Sequence, residues 1–125
     1  MSTVLLAEDD PDIRHLVSAK LRRSGFDVIE TVDGADALAA ARRHRPDLVL
    51  LDLRMPRLDG LEVLRELRAD PATARLPIVV LTARTRSLDV ELGYATGAID
   101  YVLKPFSPAD LVRRVEAALT RVAGR

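Results

Sequence analysis

The chain has 125 residues, 48% of them hydrophobic, and its 19 acidic and 19 basic side chains leave no formal net charge. That length suits one domain with a real core, and the charge balance gives no field to draw it onto nucleic acid or a membrane surface. With no cysteine, disulfides, zinc thiolates and thiol catalysis are excluded. No secretory pattern and no apolar run of spanning length appears, so the expectation is a cytoplasmic protein with no membrane segment.

Val4 to Ala7 is a short apolar run ending on Glu8-Asp9-Asp10. Asp10-Pro11 opens a helix, since Asp suits the N-cap and Pro the first helical position. Ile13, Leu16, Val17 and Leu21 recur on one face at helical spacing, and Gly25 stops it. Phe26 to Glu30 reads as a second strand, and Asp33-Gly34 turns into an Ala-rich helix ending near Arg43-His44-Arg45. Asp47 to Leu51 is a third strand, closed by Asp52 and an Arg-Met-Pro turn. Leu61, Leu64 and Leu67 mark a third helix, and Pro77 to Leu81 a fourth strand rich in β-branched residues. A weaker helix is expected over Ser87 to Ala95, stopped by Gly97, and a fifth strand over Ile99 to Leu103. Ser107-Pro108-x-Asp110 opens a last helix with Leu111, Val112, Val115, Leu119 and Val122 inward.

Five strand–helix units in strict alternation, with continuously apolar strands, predict an α/β fold. The expectation is a three-layer, five-stranded parallel sheet with five helices, flavodoxin-like, in strand order 2-1-3-4-5. Residues 1–125 form a single domain, with no repeat or linker. In such sheets ligands bind where strand order reverses, beyond the carboxyl ends of the strands. That point brings the end of strand one beside the end of strand three, so Glu8, Asp9 and Asp52 share one small volume. Each like-charged pair there costs roughly 4 kcal/mol at about 4 Å and an effective dielectric near 20. A divalent cation relieves the repulsion, and oxygen ligands with a hydrated face and no imidazole or thiol suit Mg²⁺.

Two other strands also end on polar residues. Thr82 follows the fourth, and Lys104-Pro105 the fifth. Of the 19 bases all but Lys20 and Lys104 are arginine, so a lysine retained at a strand end suggests a compact point charge, as for a phosphoryl oxygen. Lys20 sits among charged helix residues. His15 and His44 lie off the apolar face and at a helix end, as structural residues rather than phosphate donors or metal ligands.

The motifs Ala7-Glu8-Asp9-Asp10, Leu51-Asp52-Leu53-Arg54-Met55-Pro56 with Asp59-Gly60, Leu81-Thr82-Ala83 and Lys104-Pro105-Phe106 together resemble response-regulator receiver domains. These are the CheY-like phosphoacceptor modules of two-component signalling, and the resemblance runs over essentially the whole chain. It implies that Asp52 accepts a phosphoryl group from a sensor histidine kinase or histidine phosphotransfer protein. It implies Mg²⁺ held by Asp9, Asp52 and the Arg54 backbone carbonyl, with Glu8 acting through water. Lys104 and Thr82 would contact phosphoryl oxygens, and Tyr101 would turn inward with Thr82 as a switch, altering the face formed by the fourth and fifth helices and the fifth strand. Arg54 and Arg84 occupy the positions that tune phosphoryl lifetime, and two long cations there point to a longer-lived group. The family's members signal rather than turn over substrate, assisting their own phosphorylation and dephosphorylation.

The last helix is similar to those of receivers that precede DNA-binding domains and form phosphorylation-dependent homodimers through paired charges. Asp100, Asp110 and Arg114 fit that pattern, whereas Val90 and Ile99 stand where charges are expected. No direct nucleic-acid binding is expected of the domain itself, and its downstream partner is not legible. Two other readings compete: an interaction domain of the same fold that is never phosphorylated, and an aspartyl-phosphate phosphatase. The phosphatase would need a D-x-D nucleophile after strand one and a longer chain; here the acids after strand one are contiguous.

Overall fold

The computed structural model describes residues 2–82 and 97–123. Among the described residues five strands and four helices follow in chain order: β1 (Thr3–Ala7), α1 (Pro11–Arg23), β2 (Asp27–Thr31), α2 (Gly34–His44), β3 (Leu48–Leu51), α3 (Gly60–Ala69), β4 (Ile78–Thr82), β5 (Asp100–Leu103) and α4 (Pro108–Ala123). All the strand pairs are parallel, and the sheet order is β2-β1-β3-β4-β5. The sheet is as expected; four of the five expected helices fall among the described residues, and the helix expected over Ser87 to Ala95 lies outside them.

Alternation along each strand builds two cores. Leu5, Ala7, Val49, Leu51, Ile78, Val80 and Tyr101 face α2 and α3, joined by Ala37, Ala41, Leu64 and Leu67. Val4, Leu6, Leu48, Leu50, Val79, Leu81 and Val102 face the other way, onto Val17 and Leu21 of α1 and Leu111, Val112 and Val115 of α4. The result is three layers, with the side chains of Val4 to Ala7, Leu48 to Leu51 and Ile78 to Leu81 wholly enclosed, which is why those stretches read as unbroken apolar runs.

The caps follow local chemistry. Asp10 Oδ1 accepts from the N–H groups of Asp12 and Ile13 at the start of α1, and Ser107 Oγ accepts from Asp110 N–H at the start of α4. Two expectations need correction. Leu16 is 53% exposed, because the buried stripe of α1 runs through Val17, Ser18 and Leu21 and turns Leu16 to its edge. Strands two to five also begin one residue later than expected. The Phe26 N–H returns to Leu21 O of the preceding helix, and Pro77 has no N–H to give a ladder.

Candidate functional site

Pairing of Ala7 with Leu51 across β1 and β3 sends both chains out of the sheet together. Asp52 N–H still donates to Ala7 O at 3.0 Å, and Glu8 N–H to Thr31 O at 3.1 Å. The backbone is therefore fixed one residue past each strand, where the acids begin. Glu8 is fully buried and Asp52 is 3% exposed, whereas Asp9 is open to solvent. On the other side, Thr82 pairs with Leu103, and Lys104 follows at once. Its ammonium reaches back over the sheet edge to Glu8 Oε1 at 2.5 Å and Asp52 Oδ2 at 3.1 Å.

Each buried oxygen has a defined environment. Asp52 Oδ1 accepts from Arg54 N–H at 3.0 Å, which leaves Oδ2 to the lysine. Glu8 Oε2 accepts from Asp10 N–H at 3.2 Å. Burial, reinforced by the neighbouring Asp52 carboxylate, pushes Glu8 up to about 7 despite the opposing Lys104 contact. Burial alone would lower Lys104; contact with Glu8 and Asp52 outweighs it and holds the ammonium above its usual value. The lysine thus stays a cation and balances part of the acid charge.

One carboxylate oxygen each from Glu8, Asp9 and Asp52 lie within 4.8 Å of one another. Ligands about 2.1 Å from a small cation stand at most about 4.2 Å apart, so only a small closing movement would bring the three oxygens onto one ion, and the open Asp9 face leaves room for retained water. All three are hard oxygen donors, so this set fits Mg²⁺.

The loop after Asp52 is shaped by Gly60, already part of the Asp52 motif, and by Gly34 and Asp33, whose part in it the sequence pattern did not show. Gly60 opens α3 directly against the Asp52 and Leu53 backbone, where any Cβ would collide with the Asp52 carbonyl. Its N–H donates to Leu53 O at 3.0 Å. Gly34 does the same for the far side of the loop, its Cα against the Leu58 carbonyl. Buried Asp33 caps α2 through Asp36 N–H and holds Arg57, whose φ of 72° is rare for a side-chain-bearing residue, at 3.2 Å. Asp33-Gly34 was legible as a turn; that it also clamps the Asp52 loop depends on a contact 24 residues away.

Glu8, Asp9, Asp52 and Lys104 are therefore brought together. Arg54 enters through its N–H, and its side chain is exposed. Tyr101 is 8% exposed and buried in the core on the α3 side. Thr82 ends β4 beside the site, but its side chain, like Arg84 and Val90, lies outside the described residues. The Lys104–Pro105 bond is cis. Asp100, Asp110 and Arg114 pair within the chain: Arg114 bridges Asp100 at 3.1 Å and Asp110 at 3.1 Å.

The response regulator receiver domain family matches residues 4–116. The DNA-binding response regulator MtrA of Mycolicibacterium smegmatis is 50% identical over 118 residues, 94% of this chain and 50% of that protein. The alkaline phosphatase synthesis transcriptional regulatory protein PhoP of Bacillus subtilis is 43% identical over 118 residues, 94% of this chain and 48% of its own length. The chain thus spans about half the length of these relatives. Among solved structures, the receiver domain of a sensor histidine kinase from Pseudomonas aeruginosa PAO1, with a magnesium ion coordinated in its active-site cleft, superposes with a TM-score of 0.88. It is 38% identical, over 95% of this chain and 98% of that one. Chemotaxis protein CheY4 of Vibrio cholerae gives a TM-score of 0.88 at 33% identity, over 94% of this chain and 98% of its own.

Proposed function

This chain belongs to the response regulator receiver domain family, and from that premise we propose that it is a signalling phosphoacceptor in which Asp52 takes a phosphoryl group from the phosphohistidine of a sensor kinase or phosphotransfer protein. An Asp52 carboxylate oxygen attacks phosphorus, the P–N bond breaks, and the imidazole leaves with its electron pair. The observation that carries this reading is the convergence at Asp52: a buried carboxylate one residue beyond a strand, 3.1 Å from a lysine ammonium and clustered with Glu8 and Asp9.

In this reading Lys104 contacts the incoming phosphoryl oxygens, and Arg54 N–H orients the Asp52 carboxylate that it already binds. Asp9, Asp52 and the Arg54 carbonyl would hold Mg²⁺, with Glu8 acting through water. The bound cation would neutralise charge on the transferring group. Thr82 would take a phosphoryl oxygen and Tyr101 would report it to the face carrying β5 and α4. Arg54 and Arg84 would slow attack by water and so lengthen the phosphoryl lifetime. The chain would assist its own phosphorylation and dephosphorylation and act in the cytoplasm. Because the relatives are transcriptional regulators about twice its length, the switch would serve DNA binding by a longer regulator. A phosphorylation-dependent homodimer through the β5–α4 face would exchange Arg114's internal pairs for pairs across the interface.

Incubation with acetyl phosphate and Mg²⁺, read by intact mass, tests the assignment. One phosphoryl adduct that disappears in Asp52→Asn is the expected result. A folded protein that gains none would instead be an interaction domain of receiver fold.

A further inference from the structure

We propose that Arg14 is a positioning residue for the metal-binding acids, one that acts through the backbone of Glu8 and Asp9. The inference rests on the reading of those acids as the Mg²⁺ site. Arg14 projects from the first turn of α1, and its side chain is 15% exposed. Its Nη1 donates to Glu8 O at 3.1 Å and to Asp9 O at 3.4 Å, the carbonyls of the two residues whose carboxylates join the cluster. Its Nε lies 3.5 Å from Glu30 Oε1 at the end of β2.

Glu30 is itself held in place. Ser18 Oγ, on a residue 2% exposed, donates to its Oε2 at 3.1 Å, and Arg22 Nη2 lies 3.3 Å from the same oxygen. The brace therefore runs from α1 and β2 into Arg14 and from there into the Glu8–Asp9 backbone. Glu8 has other anchors, through its N–H to Thr31 and its carboxylate to Asp10 N–H and Lys104. The Asp9 carboxylate has no hydrogen bond or ion pair among the described residues, so only its backbone anchors the point from which that side chain reaches the cluster. Arg14 grips the carbonyls on both sides of that residue's N–Cα–C unit. A planar fork can span two carbonyls and a carboxylate together; a lysine ammonium, a point donor, cannot. Groups that orient metal ligands commonly change affinity by about 10- to 100-fold when removed.

The test is direct Mn²⁺ binding to the full chain, read as free Mn²⁺ by electron paramagnetic resonance, alongside the Mg²⁺ dependence of phosphorylation by acetyl phosphate. Arg14→Met is expected to raise the Mn²⁺ dissociation constant about tenfold and to shift the half-saturating Mg²⁺ concentration in parallel. The phosphorylation rate at saturating Mg²⁺ should stay within about twofold, and Arg14→Lys should restore only part of the affinity. Arg22→Met, which leaves Ser18 on Glu30 and touches neither carbonyl, should change Mn²⁺ affinity far less than Arg14→Met. If Arg14→Met does not fold, Glu30→Gln decides, with an expected two- to threefold loss of affinity. Unchanged Mn²⁺ affinity in a folded Arg14→Met, or an equal loss in Arg22→Met, overturns the proposal. Failure of the wild type to bind Mn²⁺, or of Asp9→Asn to weaken it, would instead overturn the metal site itself.

Discussion

Lys104 and Arg68 are both partly buried cations, at opposite ends of the same sheet, and their surroundings have moved them in opposite directions. Lys104, past the carboxyl end of β5, meets two buried carboxylates and is held above its usual value. Arg68, near the end of α3, meets carbonyls: its guanidinium donates to Gly97 O at 2.7 Å, Leu76 O at 2.6 Å, Ala74 O at 3.2 Å and Thr73 O at 3.4 Å. It makes no ion pair among the described residues, and burial lowers its pKa. A cation satisfied by backbone dipoles ties loops together and offers nothing to a ligand. A cation set among clustered acids leaves a site whose charge balance a phosphoryl group or a metal can enter. The environment of the charge, more than its burial, separates scaffold from chemistry.

The sharpest way to break this comparison is to neutralise each cation and measure both stability and phosphorylation. Lys104→Met should lower the acetyl phosphate phosphorylation rate by about 10³-fold, the scale of losing one group that stabilises transition-state charge. The protein should remain folded, since Glu8, already raised to about 7, can take a proton in place of the lost ammonium. Arg68→Met should do the reverse. Leaving several half-buried carbonyls short of a donor costs about 3 kcal/mol in urea unfolding, while the folded fraction phosphorylates at the wild-type rate. A large rate defect in Arg68→Met would erase the distinction.

The two cations also differed in how far they could be read from sequence. Glu8, Asp9, Asp52 and Lys104 stood out because a polar residue at the end of an apolar strand has few structural uses, and a lysine in an arginine-rich chain is conspicuous. Strand order 2-1-3-4-5 followed from strict alternation, and it alone places those residues together. Arg68 carried no signal. It is one arginine on an amphipathic helix, and its acceptors are main-chain atoms five to 29 residues away, which any sequence can supply. Arg14 was hidden in much the same way, since it meets the site through two carbonyls and its one side-chain partner there, Glu30, lies on another strand. Leu16 misled because helical spacing fixes a face only to within a residue or so of its edge. The Asp33 clamp was half visible: its cap is local, but its hold on Arg57 belongs to tertiary structure.

A change of pH sharpens the contrast on the acid side. Glu8 is raised from 4.5 to about 7, so the folded state binds its proton more tightly than the unfolded chain does. The resulting stability is fully present below about pH 4.5 and is lost as pH rises through about 7. Relative to Glu8→Gln, the metal-free wild type should therefore lose about 3 kcal/mol across that window in urea titrations. Lys104, raised from 10.5, contributes stability that is lost only above that pH and so leaves the window untouched. Saturating Mg²⁺ should reduce the difference most at the upper end, where Glu8 is ionised and binding is strongest. A wild-type curve parallel to that of Glu8→Gln would mean that Lys104 fully balances Glu8.

Arg57 extends the comparison to a third cation, and its expected effect is the smallest. It pairs with Asp33 at 3.2 Å, but its own side chain is 63% exposed while that of Asp33 is 7% exposed. Water already solvates the cation, so the pair should contribute no more than about 0.5 kcal/mol. Asp33→Asn isolates that pair, because an asparagine oxygen can still accept the Asp36 N–H and cap α2. Stability should hold to within about 0.5 kcal/mol, whereas Asp33→Ala, which loses the cap as well, should cost about 1 kcal/mol. Thermal or urea unfolding of the two variants side by side measures the difference. An Asn variant as damaged as the Ala variant would show that the ion pair, rather than the cap and the Gly34 contact, holds the loop beside Asp52. Exposure would then be a poor guide to which of the three cations matters, and the ordering from Lys104 through Arg68 to Arg57 would collapse.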